Sequence, residues 1–228
     1  MYKAKVKNLW KKDKAKIGFA VPISTIFRLL GFNNFKFKNK KVLDIGFYDG
    51  SNLSEFKKRG ADIYGVDINY MYIKNFLKQN KINKNKFEEI DCNYKDFFFK
   101  VKFDLITSTN QIVYLTNDRI LSLLKNINKH LKQNGIFLLG YPQVILSKKR
   151  KLGNFDFFLN KSNYKITKKY VQKNNPVRNL NSKFIKSVIQ KSGFKVASSI
   201  FDIETYSKSE ASPLIINRYF ILKKKSVY

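Results

Sequence analysis

One cysteine and one histidine stand in 228 residues, and their scarcity narrows the chemistry. Cys92 alone allows no disulfide framework and no cysteine-based zinc cluster. His130 alone argues against a histidine-rich metal site, so no metal is expected. There are four prolines and ten glycines, with no Pro-rich or Gly/Ser-rich linker and no internal repeat. Long apolar runs are also missing. The most apolar early stretch, IGFAVPISTIFRLLGF from Ile17, holds Pro22 and Arg28, is too short to span a bilayer and lacks a small-residue cleavage site. It is expected to be a packed helix opened at Pro22, with a weak membrane-surface contact as the lesser reading. The expected location is cytoplasmic.

Acids are few as well: 16 Asp and Glu face 46 Lys and Arg, a formal charge of +30. Forty of the 46 are Lys and only six are Arg. Lys, Asn, Ile, Phe and Tyr share A/T-rich codons, so genome composition explains much of this bias. A surface built to grip phosphate would use more Arg, whose planar fork binds it bidentately. A field this positive still attracts anions of any kind.

What remains is ordinary globular material. A hydrophobic content of 43% in a chain of this length fits one domain, 1–228, with a full core. Residues 1–39 read as a basic, mostly helical lead-in. Five alternating β/α units follow. Strands are expected at 41–46, 61–67, 86–92, 102–108 and 136–142. Helices are expected at 51–59, N-capped by Ser51, at 70–80, and at 117–135, closed by Gly135. Residues 147–182 then interrupt the rhythm, with ten Lys or Arg against the single acid Asp156. A helix closing at Gly193 and two consecutive strands, 195–206 and 216–224, end the chain. Strands without a crossover helix are antiparallel neighbours. The order implies an α/β fold: a Rossmann-like open twisted sheet of about seven strands, mostly parallel with an antiparallel C-terminal strand, and helices on both faces. A ligand is expected beyond the carboxyl ends of the strands.

The stretch KKVLDIGFYDGSNLSEFKKRGADIYGVDIN places an acid, Asp44, near the end of the first strand, followed by Gly46 and Gly50. Asp67 ends the second strand and Asp91 the third. FDLITSTNQIVYL and HLKQNGIFLLGYP follow in order. On these residues the chain resembles the class I S-adenosylmethionine (SAM) dependent methyltransferases over roughly 40–223. A nicotinamide site would need G-x-G-x-x-G, which G-F-Y-D-G is not. The resemblance implies SAM as cofactor and S-adenosylhomocysteine as product. It implies that Asp44 orients the methionine ammonium, Asp67 accepts the ribose hydroxyls and Asp91 accepts the adenine amino group, with Cys92 packed beside the ring. Gly46, Phe47, Tyr48, Gly50, Asn52, Ile68, Thr109 and Asn110 complete the implied cofactor set. Tyr48 stands where the family usually has glycine.

No catalytic base is legible, and methyl transfer needs one only where the acceptor must lose a proton. His130 reads as part of a surface helix. STNQIVY after the fourth strand lacks the Asn/Asp-Pro-Pro-aromatic motif of enzymes acting on adenine or glutamine amides. Cys92, read as part of the third strand, is misplaced for a cytosine C5 nucleophile. The expected reaction is O- or N-methylation of a small-molecule or glycan-type, anionic acceptor. Tyr114, Tyr141 and Arg178 are candidates for binding it. RNA methylation is the alternative, with nucleic acid as partner, and a non-catalytic SAM-binding scaffold is a second.

Overall fold

The computed structural model describes residues 23–145, 164–166, 176–178, 180–205 and 214–225. In chain order the elements are α1 (Ser24–Phe32), β1 (Lys41–Ile45), α2 (Ser51–Lys58), β2 (Asp62–Asp67), α3 (Tyr70–Asn80), β3 (Phe87–Glu89), β4 (Phe103–Thr109), α4 (Asn117–His130), β5 (Leu131–Ile145), β6 (Tyr164–Ile166), β7 (Pro176–Arg178), α5 (Ser182–Lys191), β8 (Phe194–Thr205) and β9 (Leu214–Lys224). Short 3-10 turns occupy Lys84–Lys86 and Ile112–Tyr114.

Seven strands form one sheet in the order β3-β2-β1-β4-β5-β9-β8. The first five are parallel, and β9 runs antiparallel to both β5 and β8. The chain moves outward from β1 in one direction through β2 and β3, and in the other through β4 and β5. The crevice for a ligand therefore opens at the carboxyl ends of β1 and β4. Strand alternation divides the core in two. Leu43, Ile45, Ile106 and Phe137 face α4 and α5 with Ile120, Leu124, Ile185 and Ile189. Val42, Leu105 and Leu138 face α1, α2 and α3 with Leu30, Phe56 and Phe76. Nothing in the described residues forms a helix long and apolar enough to cross a membrane.

The local signals act as the residue types require. Asn69 caps α3 by accepting from the Met71 amide, and Asn181 caps α5 by accepting from that of Lys183. Gly193, at φ +81°, follows α5. Four expectations are corrected. Ser51 is not a cap: Gly50 holds that position at φ +80°, and the Asp49 carboxylate accepts from both the amide and the hydroxyl of Ser51. α4 ends at His130, not Gly135, because Leu131 already pairs with Phe103 in the sheet. Gly135 lies in the irregularity that follows, where a β-carbon would come within 3.0 Å of the Phe103 carbonyl. β3 stops at Glu89, so Asp91 and Cys92 lie past the strand, in a turn that Asp91 folds by accepting the Asn93 amide on Oδ1. His130 is buried, not on the surface. Its Nδ1 donates to the Asn126 carbonyl, its Nε2 accepts from the Phe99 amide, and its ring packs on Phe97.

Candidate active site

The loop between β1 and α2 carries the site. Its left-handed residues, Gly46 (φ +72°), Tyr48 (φ +53°) and Gly50 (φ +80°), turn the chain sharply at the strand end. The Gly46 amide donates to the Val66 carbonyl at 2.7 Å, binding the loop to β2. Asp67 completes the attachment: Oδ2 accepts from the Tyr48 amide at 3.0 Å and Oδ1 from the Asn69 amide at 2.9 Å. The loop is therefore held to β2 at two points, the Val66 carbonyl and the Asp67 carboxylate. Burial raises the Asp67 pKa to about 6, against these stabilising amides.

Asp44 is 1% exposed. Its Oδ1 accepts from the Thr107 hydroxyl at 2.6 Å, and its Oδ2 has no partner among the described residues. Burial pushes its pKa to about 7, the Thr107 hydrogen bond opposes the shift, and the Asp67 and Asp49 charges add to it. Asp44 and Asp67 thus form a buried acidic pair, with the exposed Asp49 near enough for its charge to act on Asp44, in a protein of charge +30. Asp91 joins its edge: the Ile90 amide donates to the Asp67 carbonyl, and Asp91 Oδ2 is a second buried oxygen without a partner among the described residues.

The other expected cofactor residues divide. Ile68 and Thr109 are half-buried at the ends of β2 and β4, and Asn110 turns the chain after β4 at φ +59°. The Phe47 ring points away from the loop into the core, against Phe76 and Phe87. Asn52 accepts from the Ile23 amide and so ties the lead-in helix to α2. Cys92 is buried with its pKa pushed to about 12 by burial first and by Asp91 second, so it stays a thiol. The Tyr48 ring stands edge-on to Tyr72. Of the candidate acceptor residues, Tyr114 and Tyr141 are packed in the α4/α5 core, and Arg178 lies in β7 with its side chain outside the described residues.

Two residues went unread in the sequence. Thr107 meets Asp44 because the register pairs them across β1 and β4, which no local pattern announces. The Gln111 side chain lies where a Gly46 β-carbon would stand, with Oε1 only 2.3 Å from that position. Gly46 is thus needed both for its turn and for the space Gln111 fills.

A family model described as a methyltransferase domain matches residues 16–199. No protein of curated function matches the sequence. The fold is similar to that of a S-adenosylmethionine-dependent methyltransferase from Clostridium acetobutylicum, with TM-score 0.64 and 13% identity over 98% of both chains. It is likewise similar to a SAM-dependent methyltransferase from Methanosarcina mazei, with TM-score 0.64 and 14% identity over 90% of this chain and 99% of that one. Magnesium protoporphyrin IX methyltransferase from Synechocystis, solved with bound SAM, gives TM-score 0.52 and 13% identity over 86% and 76%. The chain belongs to the methyltransferase domain family, and it is a class I SAM-dependent methyltransferase.

Proposed function

We propose that this methyltransferase acts on an O or N atom of a small-molecule or glycan-type acceptor carrying negative charge, with SAM held along the ends of β1, β2 and β3. The acceptors present fit that cofactor. Its ammonium needs a buried acceptor, and Asp44 Oδ2 is one. Its ribose needs an acceptor, and the Asp67 carboxylate, which accepts from the backbone amides of Tyr48, Ile68 and Asn69, keeps a lone pair for a ribose hydroxyl. Its adenine amino group needs one more, which Asp91 Oδ2 supplies. SAM, when bound, supplies an electrophilic methyl group. The protein's own task is to hold the acceptor in line and keep water out.

The observation that supports the acceptor class is the position of β7. This strand of the basic insertion pairs with β6 and runs beside the 3-10 turn Ile112–Tyr114, directly after β4. One strand of this basic segment, β7, thus lies on the side of the crevice opposite β2 and β3. Charge-neutralising substitution of Lys165, Lys168, Lys169 and Arg178 together should raise the Michaelis constant for the acceptor and leave SAM affinity nearly unchanged. Recruitment by charge should also weaken with salt, as the Debye length falls from ~10 Å at 0.1 M to ~3 Å at 1 M. Loss of SAM binding in that variant would place the insertion on the cofactor side. Loss of bulk RNA binding with a steep salt slope would favour an RNA acceptor instead.

Asp67→Ala should weaken SAM binding by about 1–3 kcal/mol, the cost of leaving buried polar groups unpaired. Asp67→Asn, which keeps one acceptor oxygen, should fall between the two. Calorimetry with SAM and with S-adenosylhomocysteine checks both. Unchanged affinity in Asp67→Ala would show that the ribose is held elsewhere, and no binding to the unaltered protein at millimolar ligand would leave only a scaffold role.

A further inference from the structure

Four arginine side chains are among the described residues, and three are paired with acids: Arg28 with Asp202, Arg59 with Glu55 and Arg119 with Asp96. Arg218 of β9 is the exception. It is half-buried, and no described acid lies within ion-pair distance. Its Nε donates to Gln143 Oε1 at 2.5 Å, and Ser182 Oγ approaches the same oxygen at 3.4 Å. Gln143 therefore fixes the plane of the guanidinium, while its two terminal nitrogens have no partner among the described residues.

The location gives this arrangement a purpose. The last pair between β4 and β5 is Thr109–Gly140, so Tyr141 and Gln143 stand beyond the end of β4. Arg218 pairs with Tyr141 across β5 and β9. Its charge reaches the Tyr141 hydroxyl, opposing the rise that burial causes there. The overhang is on the β4/β5 side of the crevice, away from the acids of the cofactor loop. A half-buried guanidinium with no carboxylate partner among the described residues is costly until an anion pairs with it. A planar fork held at Nε is the geometry that takes two oxygens of one group. Lysine, which serves nearly every other basic position here, cannot do this.

We propose that Arg218, held by Gln143 beside Tyr141, is the clamp for an oxyanion, a carboxylate or phosphoryl group, of the methyl acceptor. This rests on the anionic-acceptor reading above. Phenylglyoxal, which condenses with guanidinium groups, followed by peptide mapping, tests it on the unaltered protein. Among Arg28, Arg59, Arg119 and Arg218, Arg218 should react fastest. Millimolar inorganic phosphate or succinate should slow its modification and leave the other three unchanged. Protection by phosphate alone identifies a phosphoryl group, and by succinate alone a carboxylate. No protection by either, or protection by SAM alone, overturns the assignment. Labelled SAM with a panel of phosphorylated, carboxylated and neutral small molecules provides the second measurement. Arg218→Gln and Arg218→Lys should each raise the Michaelis constant for an anionic acceptor about tenfold or more, the scale of a lost charge-assisted hydrogen bond, with SAM affinity intact. An anionic acceptor whose Michaelis constant is the same in both variants removes the clamp but leaves the anionic reading standing. Methylation of neutral molecules only removes both.

Discussion

Replacing Asp44 by Asn should make the cofactor-free protein more stable at pH 8 by about 2–4 kcal/mol, with the advantage shrinking on acidification and gone near pH 4. Folding buries this carboxyl and raises its pKa from 3.8 to about 7. Between those values the folded protein keeps a proton that the unfolded chain has lost. Stability from this group is therefore full below about pH 4 and falls as pH rises to about 7. Each pKa unit is worth about 1.4 kcal/mol, which sets the upper end of the range. Asn keeps an oxygen for Thr107 and carries no charge to repel Asp67 and Asp49. Asp67 contributes in the same direction up to about pH 6, and does so in both proteins. Urea unfolding at pH 4, 5, 6, 7 and 8 measures the difference, and a difference independent of pH would refute the linkage. The same substitution should abolish tight SAM binding. In the unaltered protein SAM affinity should rise from pH 5 to pH 8, because an ammonium beside Asp44 favours the ionised form and drives a proton out.

Gly50→Ala should destabilise the protein by about 2–5 kcal/mol. At φ +80° an alanine is strained by about 1–2 kcal/mol. Its β-carbon would also stand 2.2 Å from Cδ2 of Phe76. Phe76 cannot easily retreat, being a core ring packed against both Phe47 and Phe87, and overfilling such a site costs about 1–3 kcal/mol more. Tyr48, two residues earlier in the same loop, is also left-handed but should respond differently. Its half-buried ring stands clear of the core, edge-on to Tyr72. Tyr48→Gly should stay within about 1 kcal/mol of the unaltered protein, since relief of strain offsets the lost ring contact and the added chain freedom. Thermal unfolding of both variants checks the contrast. A stable Gly50→Ala protein would mean that Phe76 has somewhere to go.

The parallel half of the sheet was legible because buried strands and amphipathic helices leave short-range periodicity. KVLDI, DIYGVD and YMYIKNFLKQN each give their element within a residue or two. The strand-end acids were legible because a carboxylate next to a glycine turn is a local pattern. Three things were not. The boundary between α4 and β5 depends on Leu131 meeting Phe103, a pairing set by the sheet. The Thr107 contact with Asp44 depends on register between strands more than sixty residues apart. Arg218 looks in sequence like one more cation in a basic tail. Its distinction, the lack of an acid partner among the described residues where three other arginines have one, exists only in three dimensions. Tyr114 and Tyr141 have the chemistry of ligand contacts, and the structure buries both in the core that faces α4 and α5, a placement their local sequence does not announce.

The hydrogen bond between Gln143 and Ser182 joins two residues 39 positions apart. It lies at the base of the basic insertion and joins the end of β5, an inner strand of the sheet, to the start of α5. A base fixed in this way makes the cost of closing the segment insensitive to its length. Each doubling of a loop's length adds only about 0.6 kcal/mol of closure entropy once the base is fixed. Changes in the length of that segment should therefore leave the seven-stranded sheet standing.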